Sequence, residues 1–427
     1  MKRCIILFLF INLCLVIFAE TLTIDEAVKL AIQNNLTLRQ NAFELNNKKN
    51  ESDRAWNVFI PQANAGLTNS HPFSMVERIP KEFDRWTPGY QLSAGIELSL
   101  ASISNIRSIK ADYQAGRLNF ELAKKELETQ VRKLFYQIVL ITANRDIATQ
   151  NLESTTSRHE MSSALVKIGQ VAGLDELNAR VDMENSRLSV KRINNDYLNA
   201  IDQFKTVLAI PADKDINLVG SLDIHDLDIS QNNLELKQES LETLALISSV
   251  KSLKAQRNSA LSSAFLPTFQ LSWNSAPQYQ YDYMTKKSNW LDQGSYSMSL
   301  NLNLDAFFPY SRTQTRIANI NNSIKSAQLR LNETNRMRED KINQISRLIN
   351  NTIESIEVLQ LNMEATQTTY NIYTEMYLRG ATDFQNLRDA SENLIQAQYQ
   401  IQQEQYNLIS SILDLEKELN IPFGTIK

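Results

Sequence analysis

Residues that interrupt regular structure are scarce: of 427 residues only 10 are Gly and 9 are Pro. Such a chain has few places to stop a helix, which disfavours a loop-rich fold and favours long uninterrupted helices. Cysteine is scarcer still. Cys4 and Cys14 are the only two, and both lie so close to the start that the rest of the chain has no disulfide framework, thiol nucleophile or cysteine metal site. Histidine occurs three times, as His71, His159 and His225, in separate elements and without metal-ligand spacing; these read as surface or loop residues. No Ser/His/Asp order and no glycine-rich phosphate loop stands out. The chain therefore reads as a non-enzyme without cofactor or metal.

Long apolar runs are also missing, with one exception at the start. Met1-Lys2-Arg3 is basic, Ile5 to Phe18 is almost continuously apolar, and Phe18-Ala19 suits cleavage, so residues 1–19 read as a secretory signal peptide. Lipidation of Cys14 is the alternative, although Leu15-Val16-Ile17-Phe18 continues the apolar run past it. Removing Lys2 and Arg3 leaves 42 basic against 48 acidic residues, a formal charge of −6. A mildly acidic exported chain lacks the concentrated positive charge that nucleic acid requires.

What the chain has in abundance is one pattern, written twice. Phe59-Ile60-Pro61 and Phe265-Leu266-Pro267 each open an alternating segment; Gly169 is answered by Gly380, and Ile210-Pro211 by Ile421-Pro422. This spacing divides the chain into repeats at 20–212 and 234–427 joined by a segment at 213–233. Each repeat begins with a helix. In the first it is expected from Leu22 to Trp56, with Thr23 as N-cap and Glu26 completing a capping box. Pro61 ends it, and the period then becomes two.

Two strand pairs follow, at about 60–101 and 267–305, separated internally by loops. Leu92, Ile96 and Leu98 alternate with Gln91, Ser93, Glu97 and Ser99; Leu271 and Trp273 alternate with Gln270 and Ser272; Leu300 and Leu302 alternate with Ser299 and Asn301. Four strands of roughly ten residues suit a tilted crossing of a bilayer, with those seven apolar side chains facing lipid and a polar, weakly charged face toward water. A soluble sheet buried on one face alternates in the same way.

After each pair comes a long helix, Ile103 to Gly169 and Ser311 to Gly380, whose apolar residues step by three and four as in a coiled coil. Each ends at a glycine suited to a left-handed cap. Asp175 and Asp383 are expected N-caps of shorter returning helices that run to Ile210 and Ile421. A four-stranded sheet cannot cross a bilayer alone, because its edges would leave backbone groups unpaired, so the chain must oligomerise.

In motif order and spacing the mature chain resembles the TolC-like outer-membrane efflux proteins. The resemblance rests on Thr23-Ile24-Asp25-Glu26-Ala27-Val28-Lys29-Leu30-Ala31, the two Phe-X-Pro strand openings, the glycine-ended tips and the closing Ile-Pro of each half. It implies a homotrimer in the outer membrane, with one 12-stranded β-barrel shared by three chains and an α-helical coiled-coil tunnel in the periplasm. It further implies an exit duct for drugs or proteins, engaged by a periplasmic adaptor and an inner-membrane pump. Carried over from the tip glycines, gate positions fall on Tyr377 and Asp175, and an acidic pore constriction on Asn386 and Asp389. The tips Gly169, Gly173, Gly380 and Thr382 would meet the adaptor. Asn386 replaces one carboxylate, and Thr382 stands where the family has a gate arginine. The plainer readings are that Asp175 only caps its helix and Asp389 is a solvated charge. A periplasmic coiled-coil scaffold or adaptor with a soluble β cap is the reading of different class.

Overall fold

The computed structural model describes residues 20–71, 73, 86–222, 239–282, 287–292 and 294–426. Outside them lie the expected signal segment with Cys4 and Cys14, most of the loop between the first two strands, His225, Tyr283, and residues 223–238 of the inter-repeat segment and the helix after it. Two compact units divide the chain. Met1–Arg39, Ala123–Ser240 and Arg338–Lys427 make the first, and Gln40–Leu122 with Leu241–Met337 the second.

The chain opens with β1 (Glu20–Leu22), α1 (Ile24–Asn34) and α2 (Leu36–Asp53), where a single helix from Leu22 was expected. Thr23 is the N-cap, and with Glu26 it forms the expected capping box. Leu22 is thereby left outside the helix, where it is extended. Asn35 makes the break: its side chain accepts from Leu38 N at 3.0 Å, starting a new helix, and donates to Val207 O at 3.0 Å. A 3₁₀ turn at Ala55–Phe59 precedes β2 (Gln62–Ser70) and β3 (Thr87–Ser99).

The first long helix is α3 (Leu100–Lys167), followed by α4 (Gly173–Leu208) and β4 (Ile216–Leu218), which pairs in parallel with β1. Then come α5 (Leu241–Phe265), β5 (Thr268–Ser275), β6 (Pro277–Asp282), β7 (Lys287–Asp292) and β8 (Ser295–Asn301). The last two helices are α6 (Arg312–Leu378) and α7 (Phe384–Glu418). At 68 and 67 residues α3 and α6 are nearly equal, as are α4 and α7 at 36 and 35. Gly116 does not break α3. Any Cβ there would lie 2.9 Å from Lys48 Cδ, so the glycine lets α2 pack close.

Four helix ends use one device. Gly169, Ala209, Gly380 and Asn420 have φ of 74°, 52°, 68° and 56°. The next residue's N–H reaches back to close a Schellman turn: Gln170 to Leu165 O, Ile210 to Lys205 O, Ala381 to Met376 O and Ile421 to Glu416 O. The repeated Ile-Pro is the tail of such a turn, with a proline that cannot continue the helix.

Helices α3, α6 and α7 build the core of the first unit. Ile342 and Ile349 meet Leu408, Ile412 and Leu415, and Leu140 meets Ile409 and Leu413. Within this unit Glu416 is 0% exposed, and its Oε1 accepts from Thr425 N at 2.7 Å and Ile426 N at 2.9 Å. Lys125 donates to Ile421 O at 2.7 Å and sits 3.7 Å over the Phe423 ring. A buried carboxylate and a lysine thus hold the end of the chain against α3 and α7.

Among the described residues six strands form the sheet of the second unit, where four were expected. β2 pairs with β3, β3 with β5, β5 with β8, and β6 with β7, all antiparallel. Two arms are each split in two, since Pro277 cannot donate to the ladder. At the split, Asp292 accepts from Ser275 Oγ at 2.8 Å and Ala276 N at 3.0 Å. β7 lies in what was expected to be loop, β3 gives way to α3 at Leu100, and β8 stops at Asn301, so Leu302 is beyond the strand.

Replacing Glu416 with Ala would take the carboxylate acceptor from the part-buried bonds of Thr425 N and Ile426 N, at a cost of about 2–4 kcal/mol. The variant is expected to melt lower in detergent and to lose its last residues to carboxypeptidase; an unchanged melt with a protected C-terminus would remove this role.

Candidate functional site

Register decides what the sheet offers. Ile96 lies opposite Leu271, which lies opposite Met298; Leu98 opposes Phe269, which opposes Leu300; Ala94, Trp273 and Tyr296 form a third row. The alternate rows are polar: Gly95, Ser272 and Ser297, then Glu97, Gln270 and Ser299. Ser272 Oγ and Ser297 Oγ are 2.6 Å apart, and Gln91 donates to Asn274 Oδ1 at 3.2 Å. One face is therefore apolar and the other hydroxyl- and amide-bearing, because side chains alternate and the register is in phase across the strands.

Among the described residues nothing covers the apolar face. Tyr296, Met298 and Leu300 are 83%, 71% and 71% exposed, and Leu92, Leu98, Leu271 and Leu302 are exposed too, with Ile96 and Trp273 half-buried. Near Gly89, Tyr90 and Tyr279 flank Trp290, with centroids 5.3 and 5.6 Å away. The polar face leads into a cavity of about 550 Å³ lined by Glu97, Ser99, Asn105, Gln256 and Arg316. Among the described residues no helix is long and apolar enough to cross a membrane.

The helix tips belong to the first unit. Tyr377 is 1% exposed, packed with Ala179, Phe384 and Leu387, and its hydroxyl donates to Ser162 Oγ at 3.4 Å. Burial pushes its phenol above the ordinary range; the Ser162 bond opposes this and the charge of Asp175 adds to it. Asp175 is not an N-cap. Gly173, read as part of the tip, begins α4, Ala172 is the N-cap without a side-chain bond, and Asp175 lies in the first turn, where a carboxylate suits the helix dipole. Asp383 is an N-cap and accepts from Asn386 N at 2.9 Å.

The two departures from the family pattern meet each other. Asn386 Nδ2 donates to Thr382 Oγ1 at 3.2 Å, a bond that a carboxylate could not donate. One turn on, Asp389 is exposed, accepts from Gln385 Nε2 at 2.9 Å and lies 3.7 Å from Arg388 Nη2. Asn386 and Thr382 are thus brought together, and so is Tyr377 with the charge of Asp175.

A buried charge cluster just behind the tips escaped sequence reading. Arg158 of α3 donates to Ser391 Oγ of α7 at 2.8 Å, and both are buried. Asp182 of α4 has its carboxyl pushed up by burial, with Arg388 and Arg158 pulling it down and Glu392 pushing it up again. Asp182 Oδ2 and Arg388 Nε are buried without a hydrogen-bond partner among the described residues. The available signal was an arginine between Ser154 and Ser162, at core spacing on a coiled-coil helix.

Residues 27–209 match the outer membrane efflux protein family. No curated protein matches the sequence. By fold the chain is similar to the outer membrane channel CmeC of Campylobacter jejuni, at 16% identity and a TM-score of 0.76 over 93% of this chain and 85% of that one. It is similar to the outer membrane protein VceC of Vibrio cholerae, at 14% and 0.74 over 94% and 96%. The open state of the MtrE outer membrane channel of Neisseria gonorrhoeae matches at 15% and 0.74 over 93% and 89%.

A carboxyl held above its unfolded value costs stability when ionised, and the cost disappears as pH falls through the folded and then the unfolded pKa. Asp182→Asn is therefore expected to melt higher than the parent at pH 7, with the difference shrinking toward about pH 4, near the ordinary Asp value. A lower melt at pH 7 would mean that the arginines outweigh burial.

Proposed function

We propose that this chain, a TolC-like outer membrane efflux protein by its family match over residues 27–209 and by its fold, serves as the passive exit duct of a tripartite efflux or secretion system. Channels of this family are exit ducts in the outer membrane and not enzymes. The observation that carries the finer reading is the sheet: one face apolar and bare, the other polar, and edges at β2 and β8 that pair with no strand among the described residues. In hydrocarbon those edges must be paired. Three copies supply 12 strand arms and close a barrel with the apolar face toward lipid and the polar face toward a lumen.

The repeats at 20–212 and 234–427 each contribute a strand pair, a long helix and a returning helix, and the helices form the periplasmic tunnel. At the tunnel end, Tyr377 and Asp175 sit at gate positions, and three copies of Asp389 ring the pore beside the neutral Asn386–Thr382 pair. The turns at Gly169–Gly173 and Gly380–Thr382 face a periplasmic adaptor, which joins the duct to an inner-membrane pump. Cargo is chosen by the pump, so drugs and proteins are both compatible with the duct.

Protein extracted in detergent and added to planar bilayers is expected to conduct, with a weak cation preference from the Asp389 ring that Asp389→Ala reduces. A protein that extracts without detergent and never conducts is a soluble scaffold. On the sheet, Leu98→Arg should cost about 2–4 kcal/mol and impair membrane assembly, whereas Ser99→Arg should be tolerated. Equal assembly of both variants would contradict the assigned faces.

A further inference from the structure

We infer that the groove between α5 and α6 in the second unit binds a small organic anion, one carboxylate or sulfonate on a compact apolar body, drawn from outside the duct. The groove stands on its own geometry, and only the side it opens on rests on the proposed function. It holds a cavity of about 760 Å³, within the range of small-molecule sites, about 300–1,000 Å³. Ile247 and Val250 of α5 and Leu329 of α6 give it apolar walls, and Lys251, Lys254 and Lys325 bring three ammonium groups to it.

Charge says what the cavity accepts. Among the described residues no acid lines it. From Thr243 to Phe265, α5 carries Lys251, Lys254 and Arg257 and no Asp or Glu; from Arg312 to Asn332, α6 carries Arg312, Arg316, Lys325 and Arg330 and again no acid. The whole chain has more acid than base, at a formal −4, so two facing segments of one sign depart from its composition. Lysines elsewhere are matched, Lys48 to Asp112 and Lys133 to Asp414. Lys251, Lys254 and Lys325 have no ion pair or hydrogen bond among the described residues. Like charges held close repel, and an anion set among them removes that cost while accepting charge-assisted hydrogen bonds. The apolar walls ask that the rest of the ligand be apolar. From Ile247 to Lys254 the cavity runs along seven residues of α5, about 10 Å at 1.5 Å per residue, which suits a fused-ring body better than an extended lipid chain.

Helical phase gives the side on which the cavity opens. The serine-rich cavity of about 550 Å³ below the polar sheet face is lined on α5 by Gln256, Ser259, Ala260 and Ser263, and on α6 by Arg316 and Ile320. Each stands nine residues from a residue of the lysine cavity, in turn Ile247, Val250, Lys251 and Lys254 on α5, then Lys325 and Leu329 on α6. Nine residues are about 2.5 turns at 3.6 residues per turn, so the two cavities lie on opposite faces of the same two helices. With the polar sheet face toward the lumen, the lysine cavity opens to the periplasm. Lys254 lies eleven residues before the end of α5 at Phe265, about 16 Å along the helix, which sets the cavity away from the lipid headgroups and within reach of soluble anions.

The test uses the full-length protein in nanodiscs of zwitterionic lipid, with 1-naphthoate as the probe. At saturation it should slow acetylation of Lys251, Lys254 and Lys325 about fivefold, read by mass spectrometry, because an ammonium bound to a carboxylate is a poor nucleophile. Exposed Lys191 should be unaffected. Acetate and neutral 1-naphthamide at the same concentration should not protect. Lys325→Gln and, separately, Leu329→Asn should each weaken 1-naphthoate about tenfold, the first by removing a charged contact and the second an apolar one; both positions are exposed, so both variants should fold. Equal protection by acetate would reduce the site to surface charge, and equal protection by 1-naphthamide to hydrophobic surface; either overturns the inference, as does no protection at all. Protection in nanodiscs of anionic phospholipid without probe assigns the groove to bilayer lipid and overturns a soluble ligand. Block of single-channel current at protecting concentrations would put the cavity in the lumen and overturn its outward side. A chain that binds 1-naphthoate as described yet never conducts overturns the duct and leaves the site standing.

Discussion

Backbone N–H and C=O groups cannot be left without partners away from water, and the pairing of the strands answers that restriction. The register of β2, β3, β5 and β8 sorts most rows into apolar or polar, with Leu92 opposite Ser275 an exception, and so makes one side of the sheet largely apolar and the other polar. Such a surface has two edges in a single chain. Whatever closes them must supply strands with the same tilt and alternation, and a further copy of the same sheet is the simplest source.

The helices have very few interruptions. With glycine and proline so scarce, α3 and α6 run for 68 and 67 residues, and the glycines at their ends are used where φ is positive rather than spread through the interiors. A helix that long cannot be stable on propensity; it relies on side-chain packing along its length. Clusters at Leu140 with Ile409, at Ile349 with Leu415 and at Tyr377 with Phe384 provide it at successive levels. Glu416 and Lys125 add a polar lock on the chain end, where burial lowers the Lys125 pKa against the opposing pull of Glu128 and Glu416.

Much of this was legible in sequence because it is periodic. Alternation by two fixed the faces of the strands, and Thr23 with Glu26 marked a helix start that the structure reproduces. The failures share a cause. Asn35 reads as one more polar residue on a wetted helix until its amide finds Val207 O, 172 residues away. Pro277 was visible, but that Asp292 would repair the broken ladder from the opposite arm was not. Asp175 looked like a cap because aspartate usually is one; the extended Ala172 two residues before Leu174 takes that place instead. The Arg158–Ser391 bond joins residues 233 positions apart, and no local pattern announces it.

The tips show why residue type and role must be separated. Read through the resemblance alone, Asn386 in place of a carboxylate and Thr382 in place of an arginine imply two losses of charge at the tip. In three dimensions they are one gain, a neutral amide-to-hydroxyl bond at 3.2 Å. A neutral bond is not weakened by salt screening or by protonation of a carboxylate, as an ion pair is. Charge has not left the region: buried Arg158, half-buried Asp182 and Arg388 and exposed Glu392 gather behind the tip, and burial raises the cost of ionising Asp182. The Asn386–Thr382 contact is therefore insensitive to salt and pH, whereas the charge of Asp182 behind it depends on protonation, because burial raises its pKa against the pull of Arg388 and Arg158.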